Sequence, residues 1–522
     1  MCKGIEMKKY ILLSIILWAA AAVYGVEILF ENDFSTLEKC AQYQNASIKF
    51  IPGAGPDGKG ALRFHNDTIR HNDLKIPLDL NKVRGRGVQL QGKLRVENFP
   101  VPSRHYLGPK LMLIAKTPSH ISYGEQPKKW GTTGWLFFHT FLRIPDDATE
   151  AMIRLGIEWA KGTLYISDVK CFMIPEASDS SKFTPSEKML QKATSFRGMM
   201  TPFFSTEKDI RDFAEIYHGN LMRWQMVNKE AKNKKKWDIS TPEKFHAWLD
   251  SEIAQLDKML PVLRKCGIKI VLDLHSWPSN TEDPLLRNQI TWDIPSQDAF
   301  ISGWEKLAKH YRGNSDVIYG YDLLNEPYED NYFYRENGGL DWNRLADRAA
   351  KKVREIDPVT PIIIEPAMWG TPEGFKVLKP VNVNNVIYSV HVYQPMQYTH
   401  QGFNSTPSNW STFTYPGVIG NEMWNKEKIR AVLAPVRKFQ QKYNVPIYVG
   451  EFSVICWAPG AAQYLDDCIS IFEEYGWDWT YHAFREWAGW SIEHDGVPWG
   501  LKKSDDNPRK QVLMKYLKRN SK

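Results

Sequence analysis

With 522 residues, 43% of them hydrophobic and 24% charged, the chain has the balance of folded water-soluble protein and is too long for one ordinary domain. A net charge of +7 is small for that length, and the densest basic run, KNKKKW at 232–237, lies in polar sequence, so nucleic acid is not an expected partner. The departure from average composition is 20 Trp and 23 Tyr, whose flat faces either stack on sugars or fill cores.

The first segment reads as a leader. MKKY (7–10) is basic, ILLSIILWAAAAV (11–23) is apolar, and small residues follow, which predicts a signal peptide over 1–25 cut after Gly25. Met7 is an alternative start. The expected location is secreted or periplasmic. No later run approaches the ~20 uninterrupted apolar residues of a bilayer span, so no stable membrane insertion is expected.

Residues 26–175 carry β-prone runs at 60–66, 87–99, 110–117, 134–144, 151–159 and 163–174, separated by Gly, Pro, Asn and Asp. Short strands at such spacing predict an all-β sandwich. Five cysteines remain once Cys2 leaves with the leader, in no zinc or dense disulfide spacing. Cys40 and Cys171 fall near the two ends of this domain, where they either pair or stay as buried thiols. The polar, Ser- and Pro-bearing stretch 176–189 predicts a linker.

Over 190–522 the pattern alternates between strand and helix. Expected strands are 197–204, 219–226, 268–275, 317–325, 361–366, 386–393, 446–452 and 477–485. Apolar residues repeat at helical spacing in 249–266, where Pro261 blurs the boundary, and in 342–356. Eight strands with intervening helices predict an α/β chain with a (β/α)8 barrel. An open doubly wound sheet would carry a Gly-rich phosphate turn after its first strand, and none is present.

The strand ends carry the chemistry. VIYGYDLLNEPYED (317–330) runs from apolar residues into Asn325, Glu326 and Pro327, which alone would read as a turn. Five other expected strands are similarly marked, by Arg223, by His275, by His391 with Tyr393, by Glu451 and by the aromatics of strand eight. The C-terminal ends of barrel strands share one face, where barrel active sites lie. Two glutamates there suit glycosidic cleavage, one protonating the leaving oxygen while the other attacks the sugar carbon. At ~5–5.5 Å, the spacing of retaining enzymes, such a pair repels by ~3 kcal/mol for an effective dielectric of ~20. That keeps one protonated, and an arginine beside the other holds it ionised.

GNLMRW, IVLDLH, LLNEP, YSVHVY and YVGEF occur in an order and spacing that resemble glycoside hydrolase family 5, the large cellulase family, over about 195–500. The resemblance implies a retaining mechanism with Glu326 as acid/base and Glu451 as nucleophile. It further implies that Asn325 holds the sugar 2-hydroxyl, that Arg223 and Tyr393 contact Glu451, and that His275 and His391 bind substrate or orient the glutamates. The family usually has a tryptophan on strand eight beneath the sugar. Within WDWTYHAFREWAGWSIEH (477–494) the common register puts His482 there, leaving Trp487 or Trp490 to take the role. Arg485 and Glu486 otherwise read as an ion pair. Trp277 and Trp369 are platform or core residues, and no metal or other cofactor is implied. The first domain more loosely resembles jelly-roll carbohydrate-binding modules.

The expected activity is that of a retaining endo-acting β-glycosidase on β-1,4-linked glucan, cellulose or mixed-linkage. Mannan or xyloglucan is the alternative substrate. A non-catalytic polysaccharide-binding protein on the same barrel is the rival from another class, although binding alone needs no carboxylate pair.

Overall fold

The computed structural model describes residues 27–104, 106–174, 183, 194–201, 205–230, 235–279, 293–328, 342–403, 413–497 and 499–520. The expected leader and nearly all of the expected linker lie outside them. Two compact units are present, one within Met1–Ala177 and one spanning Ser178–Glu329 and Trp342–Lys522. Among the described residues no helix is long and apolar enough to cross a membrane.

The first unit is antiparallel β-structure: β1 (Ile28–Asn32), β2 (Ile48–Ile51), β3 (Ala61–Pro77), β4 (Gly87–Glu97), β5 (Gly108–Lys116), β6 (Ile121–Tyr123), β7 (Leu136–Arg143) and β8 (Glu150–Met173). The runs expected as two strands at 151–159 and 163–174 form the single strand β8. Gly156 and Gly162, at φ +142° and +135°, adopt backbone that side-chain-bearing residues avoid, and Gly162 lies within the strand where a break between two strands was expected. β3 pairs along most of β8, while β5 takes the opposite edge of its first half and β4 that of its second. One core joins the two halves, with Leu111, Leu113, Ile153 and Leu155 beside Leu62, Leu90, Leu94 and Ile166. Cys40 and Cys171 are both buried in it as free thiols. Burial, with Asp33 nearby, pushes the Cys40 thiol up to about 11.

The second unit is a closed parallel barrel of β9 (Arg197–Met200), β10 (Leu221–Met226), β11 (Lys269–Leu274), β12 (Ile318–Asp322), β13 (Ile362–Ile364), β14 (Val386–Val392), β17 (Ile447–Phe452) and β18 (Asp478–Tyr481). A short hairpin, β15 (Gly417–Ile419) and β16 (Glu422–Trp424), precedes β17. All eight expected strands are present, each shorter than its apolar run. Helices α1 (Glu207–Glu215), α2 (Pro242–Lys265), α3 (Ile294–Tyr311), α4 (Trp342–Ile356), α5 (Ala434–Tyr443), α6 (Ala461–Tyr475) and α7 (Pro508–Leu517) lie between or after strands. Helix α2 continues through Pro261 to Lys265 and stops at Gly267, whose φ of +65° suits a C-terminal stop.

A lower layer of Leu221, Val271, Tyr319, Ile363, Ile387 and Tyr448 fills the barrel. Because side chains alternate along a strand, the residues two positions further on point inward one layer higher. On β10, β11 and just past β13 these are Arg223, Asp273 and Glu365, all buried. Apolar packing thus gives way to charge within one strand step.

Candidate active site

Bulges re-aim two of the acidic residues. The β11–β12 register shifts at Tyr319, and the β14–β17 register shifts at Gly450, where His391 pairs with Glu451. One extra residue reverses which side chains face inward, so Asp322 and Glu451 join the inner layer out of phase with Tyr319 and Tyr448. A Cβ at Gly450 would fall 2.7 Å from Ser389 Oγ and 2.9 Å from His391 Nε2, which explains the glycine before Glu451. Glu326 sits just past β12 at φ +44°, a conformation rare for a residue with a side chain. Its N–H donates to Glu365 Oε2 at 2.8 Å, holding the turn.

Arg223 is fully buried among four carboxylates. Its nitrogens lie 2.6 Å from Glu451 Oε1, 2.9 Å from Glu365 Oε1, 3.0 Å from Asp322 Oδ2 and 3.1 Å from Asp273 Oδ1. Burial opposes its charge, but Asp273, Asp322, Glu365 and Glu451 hold the guanidinium protonated. It also donates to Asn325 Oδ1 at 3.1 Å, so the amide nitrogen of Asn325 remains available on the cleft. Burial pushes Asp322 well above the usual carboxylate range, with Arg223 offsetting part of the rise.

Glu326 and Glu451 converge. Oxygens of both, with a ring nitrogen of His391, lie within 4.8 Å of one another. His391 Nδ1 is 2.9 Å from Glu326 Oε1. The Tyr393 hydroxyl donates to Glu451 Oε2 at 2.7 Å. Burial works against ionisation of Glu451, yet His391, His482, Arg223 and His275 outweigh it and hold the carboxyl well below its ordinary range. The two carboxylates differ in access: the Glu451 side chain is 7% exposed and that of Glu326 32%. One is caged, and the other faces the cleft.

That Glu326–His391–Glu451 group is a compact donor set of a kind sequence spacing did not suggest. Its oxygens suit hydrogen bonding better than a cation, because the guanidinium and the Tyr393 hydroxyl already occupy both oxygens of Glu451. Burial opposes the charge of His391, but Glu365, Glu451 and Glu326 raise it well above the ordinary range, which also disfavours a metal there.

The cleft above this layer encloses ≈ 620 Å³ and is lined by His275, Asn325, Glu326, Tyr393, Glu451, Trp369 and Trp490, among others. His275 lies at 2.8 Å from Asp273 and touches neither glutamate directly. Trp369 is 48% exposed and stacked on Tyr328 at 4.3 Å. Trp487 packs behind Trp490, at 5.9 Å between centroids, and only Trp490 lines the cleft. Trp277 is not among the lining residues. His482 follows β18 and faces the cleft, 2.8 Å from the Tyr393 hydroxyl.

The Arg485–Glu486 ion pair read from sequence is not formed. Arg485 bonds Asp209, Asp212 and Glu493, while Glu486 turns into the cleft toward His482 and Gln225. Arg485 lies in a bend after β18 at φ +53°, where the left-handed backbone turns the two neighbouring side chains apart. Sequence reasoning also passed over Asp273, Asp322, Glu365 and Gln225. Glu365 had a signal, because PIIIEP ends an apolar run in an acid just as LLNEP does.

The family profile of cellulase, glycosyl hydrolase family 5, matches residues 187–491. Endoglucanase C of Acetivibrio thermocellus is 27% identical over 307 residues, covering 53% of this chain and 84% of that protein. Cellodextrinase A of Ruminococcus flavefaciens is 26% identical over 204 residues, 38% of this chain and 57% of that protein. Among solved structures, Thermotoga maritima Cel5A in complex with cellobiose aligns with a TM-score of 0.47 and 19% identity, over 61% of this chain and 96% of that one. The profile spans well over half of the sequence and contains every barrel strand, and on that footing the chain belongs to glycosyl hydrolase family 5 and is a glycoside hydrolase of the endoglucanase type.

Proposed function

We propose that the protein is a retaining endo-acting β-1,4-glucanase, cleaving cellulose or mixed-linkage glucan by double displacement. The observation that carries this reading is the pair of glutamates with oxygens within 4.8 Å of each other and unlike surroundings. That spacing suits direct attack by a carboxylate, since an inverting pair stands ~6.5–9.5 Å apart to admit a water. Glu451, held anionic by Arg223 and Tyr393, attacks the anomeric carbon as the bond to the leaving oxygen breaks. Glu326, with Oε1 bound by His391 and its side chain lining the cleft, gives its proton to that oxygen. It then takes a proton from the water that displaces Glu451. The Asn325 amide meets the sugar 2-hydroxyl, and Trp369 and Trp490 offer apolar faces to the chain.

We further propose roles for the rest of the polypeptide. Residues 1–25 direct export, 26–175 are a jelly-roll-like sandwich that either binds polysaccharide or serves as a packing domain, and 176–189 link it to the catalytic unit over 190–522.

Azide separates the two glutamate roles. With Glu326→Ala and an activated β-glycoside, azide should intercept the glycosyl-enzyme and give the β-azide after two inversions. With Glu451→Ala it should attack directly and give the α-azide. Swapped products would exchange the roles, and release of the α-anomer by wild type would remove the retaining mechanism. Rates on carboxymethylcellulose, barley β-glucan, mannan and xyloglucan test the substrate.

A further inference from the structure

We infer that His482 acts as an imidazolium that positions and loads the nucleophile through Tyr393, with Glu486 and Gln225 holding it in place; this rests on the glycosidase reading above. The available protons fix which atoms donate. The Tyr393 oxygen lies 2.7 Å from Glu451 Oε2 and 2.8 Å from His482 Nδ1, and a phenol has one proton. Glu451, bound to Arg223 at 2.6 Å, is an acceptor only. The phenolic proton therefore goes to Glu451, and His482 Nδ1 must donate to the phenol oxygen. On the other side of the ring, Nε2 lies 3.3 Å from Glu486 Oε2, which also accepts from Gln225 Nε2 at 3.0 Å. The surroundings of Glu486 favour its ionised form, and that charge beside the ring favours a second proton on Nε2. A ring that donates from both nitrogens carries a positive charge.

The surroundings agree with that charge. Glu451 on β17, Glu326 beyond β12 and Glu486 beyond β18 all favour the cation, against the cost of burial. His400, packed against Tyr393 and Trp490, is pushed down to about 4 by burial and by His482, so it is neutral and does not repel it. The ionised form of Glu486 is favoured by His482, Gln225 and His275 despite burial. Where the family resemblance places an apolar tryptophan, this chain has a charge relay ending on the nucleophile.

The consequence falls on the second chemical step. There water attacks the anomeric carbon, the bond from that carbon to Glu451 breaks, and the electron pair leaves with Glu451 while Glu326 takes the water's proton. A cation behind Tyr393 makes Glu451 a better leaving group. When His482 loses its proton, that step slows and the glycosyl-enzyme builds up.

The test is the pH dependence of kcat and kcat/KM on soluble β-glucan for the full chain and for Glu486→Gln, His482→Gln, Tyr393→Phe and the last two combined. In wild type kcat should fall on the alkaline side more than kcat/KM, with covalent intermediate visible by intact mass. Glu486→Gln should move that limb about one to two pH units lower, because an adjacent opposite charge is lost. His482→Gln should lower kcat about ten- to a hundredfold, and less than about twofold when Tyr393 is already Phe, because the relay is then broken. A limb in Glu486→Gln that stays in place or disappears, or costs of His482→Gln and Tyr393→Phe that multiply, would overturn the inference. Absence of turnover by wild type on every β-glycan would instead remove the glycosidase reading.

Discussion

Each unit of the molecule buries a cluster of charges, and the two clusters are built differently. In the barrel, one guanidinium meets Asp273, Asp322, Glu365 and Glu451, a surplus of acid that extends through histidines to the cleft. In the N-terminal unit, Lys110 and Arg154 meet Glu158 and Asp73, two cations against two acids. Arg154 lies 2.6 Å from Asp73 and 3.1 Å from Glu158, and Lys110 lies 3.2 Å from Glu158. A balanced buried network holds strands together at little net gain. An unbalanced one is expensive for the fold, and its retention points to chemistry.

The largest effect should come from removing one acid from each cluster. Glu451→Ala should nearly abolish turnover on soluble glucan, because no covalent intermediate can form. Glu158→Ala should leave kcat on the same substrate within about twofold, since its partners all lie in the N-terminal sheet. Its cost should appear in stability, at about 3 kcal/mol for a broken buried pair. Comparable losses of activity in both variants would end the distinction between the clusters.

Exchanging the arginines is a sharper comparison. Arg223→Lys keeps the charge but loses the planar fork that reaches Glu451, Asp322 and Glu365 together. Activity should fall about ten- to a hundredfold, the worth of one or two charged hydrogen bonds. Arg154→Lys should instead lower protection of the β8 amides from hydrogen exchange, with kinetics unmoved.

How much of this was legible in the sequence depended on contrast. Asn325, Glu326 and Glu451 stood out because each ends an apolar run, and Arg223 because it is a charge inside one. Asp273 and Asp322 were hidden, since an acid between apolar neighbours looks like ordinary strand alternation. Only the bulge at Tyr319, a feature of pairing between strands, turns Asp322 inward. The β8 strand was misread for a similar reason: Gly162 looks like a turn in one dimension and is a bend once β3 and β4 pair across it. Partners fixed by long-range pairing leave little trace in local pattern. Glu486 belongs to that class, because the backbone after β18 decides which way it turns.

A smaller effect tests the surplus of acid directly. Burial raises Asp322 above its unfolded value, so the folded state binds more protons than the unfolded one from about pH 4 upward. Its contribution to stability is then full below that pH and falls as pH rises toward the raised value. Asp322→Asn should escape this loss, becoming as stable as wild type or more so near neutrality. Activity should drop about tenfold, as Arg223 Nε and Nη2 lose a charged acceptor. Urea unfolding of wild type and variant at pH 4 and pH 7 checks the sign.

The smallest effect belongs to the balanced cluster, where the strained partner is the cation. Burial lowers Lys110 from 10.5 to about 8, with Glu158 offsetting part of the fall, while its ammonium donates to Tyr106 O and Gln126 Oε1. Between about pH 8 and 10.5 the unfolded chain holds the proton that the folded chain has released, so this group makes stability rise with pH across that window. Cys40 works in the opposite direction, since its raised thiol keeps a proton in the fold to about 11. Comparing wild type with Lys110→Met cancels the thiol and isolates the lysine. At pH 7.5 the variant loses hydrogen bonds but sheds a desolvated ammonium, so the net change should be within about 1 kcal/mol. Toward pH 10.5 wild type should gain stability on the variant. Amide exchange of β5 and β8 in the full chain, measured at matched pH, reads that difference; a gap constant across the window would mean that Lys110 keeps its ordinary affinity for the proton.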